Sequence, residues 1–261
     1  MSAPADSGPL RGKGVLVTRP ARQAGAFAQK IAVIGGMPII FPAIVILPPD
    51  DAVTLQRAHD ALHGYDYAVF VSANAVEFGA PDARRWPASL IAFAPGAGTA
   101  EALASMGIHG VRIPITTMDS AGLLALPEFL SASGKRVLVF RGDGGREELG
   151  DTLRARGAEV DYVTCYRRAR PTDARGLNEA FAASRIDAVT ITSSEGLDNL
   201  WSIVDAPTRA RWSSLPTFVP HERIAAHARD LGLTTVLTGP GDAGLVAGLL
   251  EWAARNFPQQ G

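Results

Sequence analysis

Tyr166 is the residue of this chain best suited to hand over a proton. It stands in the run Val163-Thr-Cys-Tyr-Arg-Arg168, inside one of two extended stretches that lack helical spacing. Strand alternation points Tyr166 to the face opposite Cys165. If that face holds a ligand, the phenol can protonate a departing hydroxyl. A tyrosine packed between two lobes is the competing reading. Cys165 is the single cysteine, so no disulfide forms within the chain. It reads as a small buried apolar residue rather than a nucleophile.

A second set of residues suits anions. It comprises Thr18-Arg19, Ser72-Ala73-Asn74, Gly96 to Thr99 with Gly98 and Thr99 at its end, Arg141-Gly142 with the glycines that follow, Ser193-Ser194, and His221 within Pro220 to Arg223. Each group follows an apolar run, and nearly all precede a helix-forming stretch. Backbone N–H groups are free at a helix start, and a negative charge there gains roughly 0.3–1 kcal/mol. Several such ends suit a ligand carrying several carboxylates. Ser and Asn at these places also serve as plain helix caps, and Arg19 and Arg141 serve equally well as halves of structural ion pairs.

Other chemistries are poorly supported. Gly96-Ala-Gly98-Thr-Ala-Glu101 has glutamate where a dinucleotide fingerprint needs its third glycine. There is no phosphate-binding G-x-x-x-x-G-K-[ST] loop, no G-x-S-x-G elbow and no cysteine–histidine zinc pattern. His59, His63, His109 and His227 have no partners that the sequence names. A net charge of −1 argues against a nucleic-acid partner. The uncharged stretch between Lys30 and Asp50 is broken by Gly35, Gly36, Pro38, Pro42, Pro48 and Pro49, so it does not read as a membrane span. Met1 to Leu10 lacks the apolar core of a signal peptide. A cytoplasmic protein with no membrane partner, metal or cofactor is expected.

The elements that must position these residues follow a repeat. Gly12-Lys-Gly-Val-Leu-Val-Thr-Arg19 recurs 122 residues later as Gly134-Lys-Arg-Val-Leu-Val-Phe-Arg141. Asp66 to Ser72 matches Asp187 to Ser193, Phe93-Ala-Pro95 matches Phe218-Val-Pro220, and Asp119-Ser-Ala-Gly-Leu matches Asp242-Ala-Gly-Leu. Ordered matches near one offset indicate a duplicated unit. Short runs rich in β-formers alternate with helical stretches, which implies parallel sheets with helices on both faces. A strand at Val111 to Ile113 and one helix from Asp119 to about Leu130 are among the expected elements.

The predicted fold is therefore α/β: two similar lobes, each a parallel sheet flanked by helices, joined by two extended crossing strands. Residues 12–38 and 170–256 form the lobe with both chain ends, and 47–160 form the other. Segments 39–47 and 160–169 cross and pair, and 1–11 form a disordered tail. Ligands of such sheets gather at strand carboxyl ends, and a cleft between lobes is the expected site.

With these residues in hand, the chain resembles the uroporphyrinogen-III synthase family. The resemblance rests on V-L-V-T-R-P at 15–20, F-V-S-A-N-A-V at 70–76, P-G-A-G-T-A at 95–100, R-G-D-G-G-R-E at 141–147, C-Y-R-R at 165–168, I-T-S-S-E-G-L at 191–197, V-P-H-E-R-I-A at 219–225 and G-P-G-D-A-G-L at 239–245. It implies a cofactor-free lyase of haem biosynthesis. Its small-molecule substrate is the linear tetrapyrrole hydroxymethylbilane, closed with loss of water and inversion of ring D through a spiro intermediate. It also implies Tyr166 as the proton donor and transient contact with the preceding pathway enzyme. Val71, where a threonine often precedes the serine, removes one hydroxyl from that loop. Pro95, where an aliphatic residue is usual, stiffens its turn. A non-catalytic two-lobed binding protein for a small polycarboxylate is the alternative, and a regulatory or interaction domain is a third reading.

Overall fold

The computed structural model describes residues 8–145 and 147–257. The chain opens with β1 (Gly14–Val17), α1 (Ala21–Val33), β2 (Met37–Ile40), β3 (Val45–Leu47), α2 (Ala52–Asp60), β4 (Tyr67–Phe70) and α3 (Ala73–Gly79). It continues through β5 (Ile91–Phe93), α4 (Ala97–Ser105), α5 (Ser120–Leu124), α6 (Pro127–Leu130), β6 (Arg136–Gly142), α7 (Glu148–Ala155) and β7 (Glu159–Ala169). The last part holds α8 (Arg175–Ala182), β8 (Ala188–Thr190), α9 (Ser194–Ile203), α10 (Ala206–Ser213), β9 (Thr217–Val219), α11 (Glu222–Asp230), β10 (Thr235–Leu237) and α12 (Gly241–Asn256).

The chain divides into two compact units. One takes the residues up to Val45 and those from Ala169 onward; the other is Ile46–Arg168. The first unit carries a sheet of order β10-β9-β8-β1-β2, and the second a sheet of order β3-β7-β6-β4-β5. Neighbours run parallel at β1–β2, β1–β8, β8–β9 and β9–β10, and at β4–β5, β4–β6 and β6–β7.

The strands feed two cores per sheet because successive side chains leave opposite faces. In the first unit Val15 and Val17 join Phe27, Phe218 and Leu249, whereas Leu16 joins Val189, Leu200 and Trp212. In the second, Phe70, Leu138 and Phe140 pack on one face, and Val69, Val137, Val139 and Phe129 on the other.

Helix starts are set by short polar side chains. Asp51, Ser72, Asp119, Ser193 and Asp205 each accept from the amide three residues on, at 2.8–3.1 Å. Helix α1 is followed by Gly35 at φ +86°, a backbone conformation that an L side chain resists.

The repeats interleave. Leu16 lies opposite Val189 in one sheet, and Leu138 lies opposite Ala68 in the other. Under the offset in the sequence these are the same pair. Each sheet therefore joins the opening strand of one repeat to later strands of the other.

The structure corrects the sequence reading in several places. Of the stretch 39–47, Ile39 and Ile40 bond to β1 within β2, and only β3 lies beside β7. The two strands are separated around Pro42, which has no N–H to give a ladder. Val111–Ile113 forms only an isolated bridge, Phe93 to Arg112. The helix expected from Asp119 to Leu130 is split into α5 and α6, because Pro127 starts a new helix. Helix α10 was not anticipated, although Asp205-Ala-Pro207 is a start signal of capping aspartate and early proline. The tail expected at 1–11 is ordered from residue 8: Leu10 is fully buried and its amide donates to the Ile34 carbonyl at 3.0 Å. Residues 1–7 lie outside the described residues. Among the described residues no helix is long and apolar enough to cross a membrane.

Candidate functional site

The second unit brings several of the candidate residues together where β4, β6 and β7 end. Strand β7 carries one extra residue there: Thr164 is opposite Arg141, but Tyr166 is opposite Gly142. This bulge breaks the alternation expected at Cys165 and Tyr166. Both side chains face α3. Cys165 Sγ lies 3.6 Å from the Ala75 carbonyl and donates to the Arg141 carbonyl at 3.1 Å. The Tyr166 ring lies 6.5 Å from that of Phe78. Burial pushes the Cys165 thiol up to about 12, so it stays protonated and unreactive.

Tyr166 is 3% exposed, yet it lines a cavity of about 180 Å³ with Arg141, Gly142, Tyr162, Ser120 and Asp143. Its phenol oxygen is 3.3 Å from Ser72 Oγ, which already accepts the Ala75 amide. Gly142 makes room for the ring: a methyl group there would sit 2.6 Å from Tyr166 Cε2 and Cζ. The cavity is smaller than the ~300–1,000 Å³ that holds a drug-sized ligand. It has room for a single small ring or a short polar chain.

Arg141 borders the same cavity. Its guanidinium is 3.9 Å from the Tyr162 ring centroid, bonds to Glu147 Oε1 at 2.8 Å and donates to the Gly145 carbonyl at 3.3 Å. Burial, with Glu147 beside it, holds the Tyr162 phenol above its ordinary range. Asp143 Oδ1 accepts the Arg168 amide at 3.0 Å. Sequence reasoning singled out Arg141 to Gly145, which holds Asp143, but not Tyr162, Glu147 or Ser120. Tyr162 could have been found, since it sits four residues before Tyr166 on the strand beside Arg141.

The other candidates in this unit stay apart. Ala73 and Asn74 form the first turn of α3 and do not line the cavity. Gly98 and Thr99 belong to the first turn of α4, after β5 at the sheet edge; Thr99 is 8% exposed and its amide donates to Gly96 at 3.2 Å.

In the first unit the candidates are engaged separately. Thr18 Oγ1 donates to the Thr190 carbonyl at 2.7 Å, tying β1 to β8. Arg19 pairs with Asp242 at 2.6 Å and lies 5.2 Å from the Phe27 ring. Ser193 caps α9, and Ser194 is its first residue. His221 takes the cap position of α11 without a capping bond from its side chain. Two histidines without sequence-named partners do have them: His59 meets the Gly79 carbonyl at 2.8 Å and His227 meets Asp198 at 2.6 Å. Among the described residues no three His, Cys, Asp or Glu side chains gather as a metal-ligand set.

Comparison with known proteins supplies the family. The family model described as uroporphyrinogen-III synthase HemD matches residues 25–246. The uroporphyrinogen-III synthase of Salmonella typhimurium is 36% identical over 226 residues, covering 84% of this chain and 91% of that protein. The Escherichia coli enzyme of the same name is 36% identical over 225 residues, with the same coverage of 84% and 91%. Two solved structures share the fold. Uroporphyrinogen-III synthetase from Helicobacter pylori has TM-score 0.58 at 13% identity, covering 92% of this chain and 99% of that one. A mutant uroporphyrinogen III synthase from Thermus thermophilus has TM-score 0.53 at 19% identity, covering 93% and 99%. The ordered motifs, the duplicated α/β architecture and this similarity over most of the chain agree: the chain belongs to the uroporphyrinogen-III synthase family.

Proposed function

We propose that the chain is a uroporphyrinogen-III synthase, closing hydroxymethylbilane with loss of water and inversion of ring D, and that it works without metal or cofactor. The observation that carries the chemistry is a buried phenol lining a small cavity at strand carboxyl ends. Tyr166 gives its proton to the terminal hydroxyl of the bilane. The C–O bond breaks, water leaves, and the pyrrole electrons generate an electrophilic azafulvene. Ring D attacks through its substituted carbon to give the spiro intermediate, which fragments and recloses inverted. The final pyrrole carbon then loses a proton, which restores the phenol. No electrons are gained or lost overall, and the pyrroles supply the nucleophile.

Positioning is the main term, because unguided closure gives the uninverted ring. The N–H groups that open α4 and α7 of the second unit suit acetate and propionate arms of such a substrate. We place the enzyme in the cytoplasm. Because its substrate closes spontaneously, transient contact with the enzyme that makes it is expected.

Product analysis with hydroxymethylbilane tests the reading. Purified protein should yield the inverted isomer, and Tyr166→Phe should lower kcat more than it raises KM. Only the spontaneous isomer from the unaltered protein would remove the enzyme reading. Unchanged kcat in the phenylalanine variant would remove Tyr166 from the mechanism.

A further inference from the structure

The duplicated strand ends in an arginine in both halves, and the two arginines are held in nearly the same way. Arg19 and Arg141 side chains are each 17% exposed, and each pairs with a carboxylate of its own unit. Each lies near an aromatic ring, Phe27 or Tyr162. In both, the buried Nε has no acceptor among the described residues. A buried N–H without a partner is rare in a native protein and asks for an acceptor.

The two differ in what holds the carboxylate. Asp242 is 21% exposed and bound between two cations, since Lys30 reaches it at 2.9 Å as well. Glu147 is 52% exposed, and no second cation pairs with it among the described residues. The Glu147 end of the pair is open to solvent, so water or another anion can replace its carboxylate while the guanidinium stays in place. Arg141 also borders the cavity that Tyr166 lines.

We infer that Arg141 receives one carboxylate arm of the substrate by exchanging Glu147 for it, while Arg19 remains a structural strut. Tyr162 is a positioning residue in this scheme. Its ring supports the guanidinium plane, its hydroxyl donates to the Glu147 carbonyl at 3.3 Å, and Gly150 is the glycine that leaves space for that hydroxyl. The nearby charges are compatible with an arriving anion. Among the described residues that line the cavity, two arginines, Arg141 and Arg168, stand against one carboxylate, Asp143, which accepts the Arg168 amide. The assignment rests on the tetrapyrrole reading above for its ligand.

Steady-state kinetics with hydroxymethylbilane test it, together with direct binding of uroporphyrin III and of its octamethyl ester. Arg141→Lys should raise KM about tenfold with kcat within about twofold, the effect of losing one charge-assisted hydrogen bond. Glu147→Gln removes the competitor and should lower KM about threefold. Tyr162→Leu should raise KM and Tyr162→Phe should largely restore it, which a purely structural role would not distinguish. Asp242→Asn should lower Tm without moving KM. Uroporphyrin III should lose affinity for Arg141→Lys in the same ratio, and the ester should bind both proteins equally. Turnover by the unaltered protein with KM unmoved in both Arg141→Lys and Glu147→Gln would overturn the assignment and leave the enzyme reading standing. Absence of turnover and of uroporphyrin binding in the unaltered protein would overturn both.

Discussion

Gly142 and Tyr166 meet across two strands, and the hydrogen in place of a side chain at 142 leaves the phenol where it is. The nearest ring atoms would be 2.6 Å from an added methyl group, less than real Cβ contacts allow. Gly142→Ala should therefore displace the ring rather than unfold the sheet. Overpacking of this size costs about 1–3 kcal/mol, and a shift of about 1 Å in a reacting group costs on the order of a hundredfold in rate. Turnover falling roughly 10–100-fold, with a urea midpoint that stays cooperative, is the expected result; full activity would mean that the ring position is unimportant. At this scale the sequence pointed to Tyr166, Ser72, Arg141 and Gly142 as residues of interest. It could not pair them. Arg19 and its carboxylate Asp242 are more than two hundred residues apart, and no local pattern links them. The bulge at Cys165 is equally invisible, because it arises from the register against β6.

At the scale of elements, the repeated motif Ala-Gly-Leu at 121–123 and 243–245 has a packing cause. A methyl on Gly122 would strike the carbonyl oxygen of Thr117, and one on Gly244 would strike that of Gly239. In both repeats a loop carbonyl presses against the first turn of a helix. Backbone cannot step aside as a flexible side chain can. Gly122→Ala and Gly244→Ala should each destabilise their unit by about 2 kcal/mol or more, read as a shift in urea midpoint at constant slope. A shift below about 0.5 kcal/mol would show that the loops yield. Alternating strands and helices were legible because apolar runs, capping Ser and Asp, and terminal glycines agree with one another. Helix α10 escaped because its only buried residues are Thr208 and Trp212, too few to give a readable stripe. The strand at Val111–Ile113 was over-read, since an apolar run only becomes a strand if a neighbour offers a ladder.

For the whole molecule, the second unit is one continuous segment, Ile46–Arg168, with buried clusters on both faces of its own sheet. A fragment of those residues should fold alone, giving a cooperative urea transition and mixed α/β circular dichroism. A non-cooperative, dye-binding fragment would refute this. The duplication was visible in the sequence, but the exchange of strands between repeats was not, because equal spacing is compatible with either pairing. That exchange has a consequence for synthesis. Strand β1 cannot meet β8 until Ala188 is made, 171 residues after Val17. At about 5–20 residues per second the ribosome needs roughly 9–34 s for that stretch. Strand β2 can cover one edge of β1 early, but the edge that β8 will take stays unpaired throughout the birth of the middle unit, and a holdase has its longest window there.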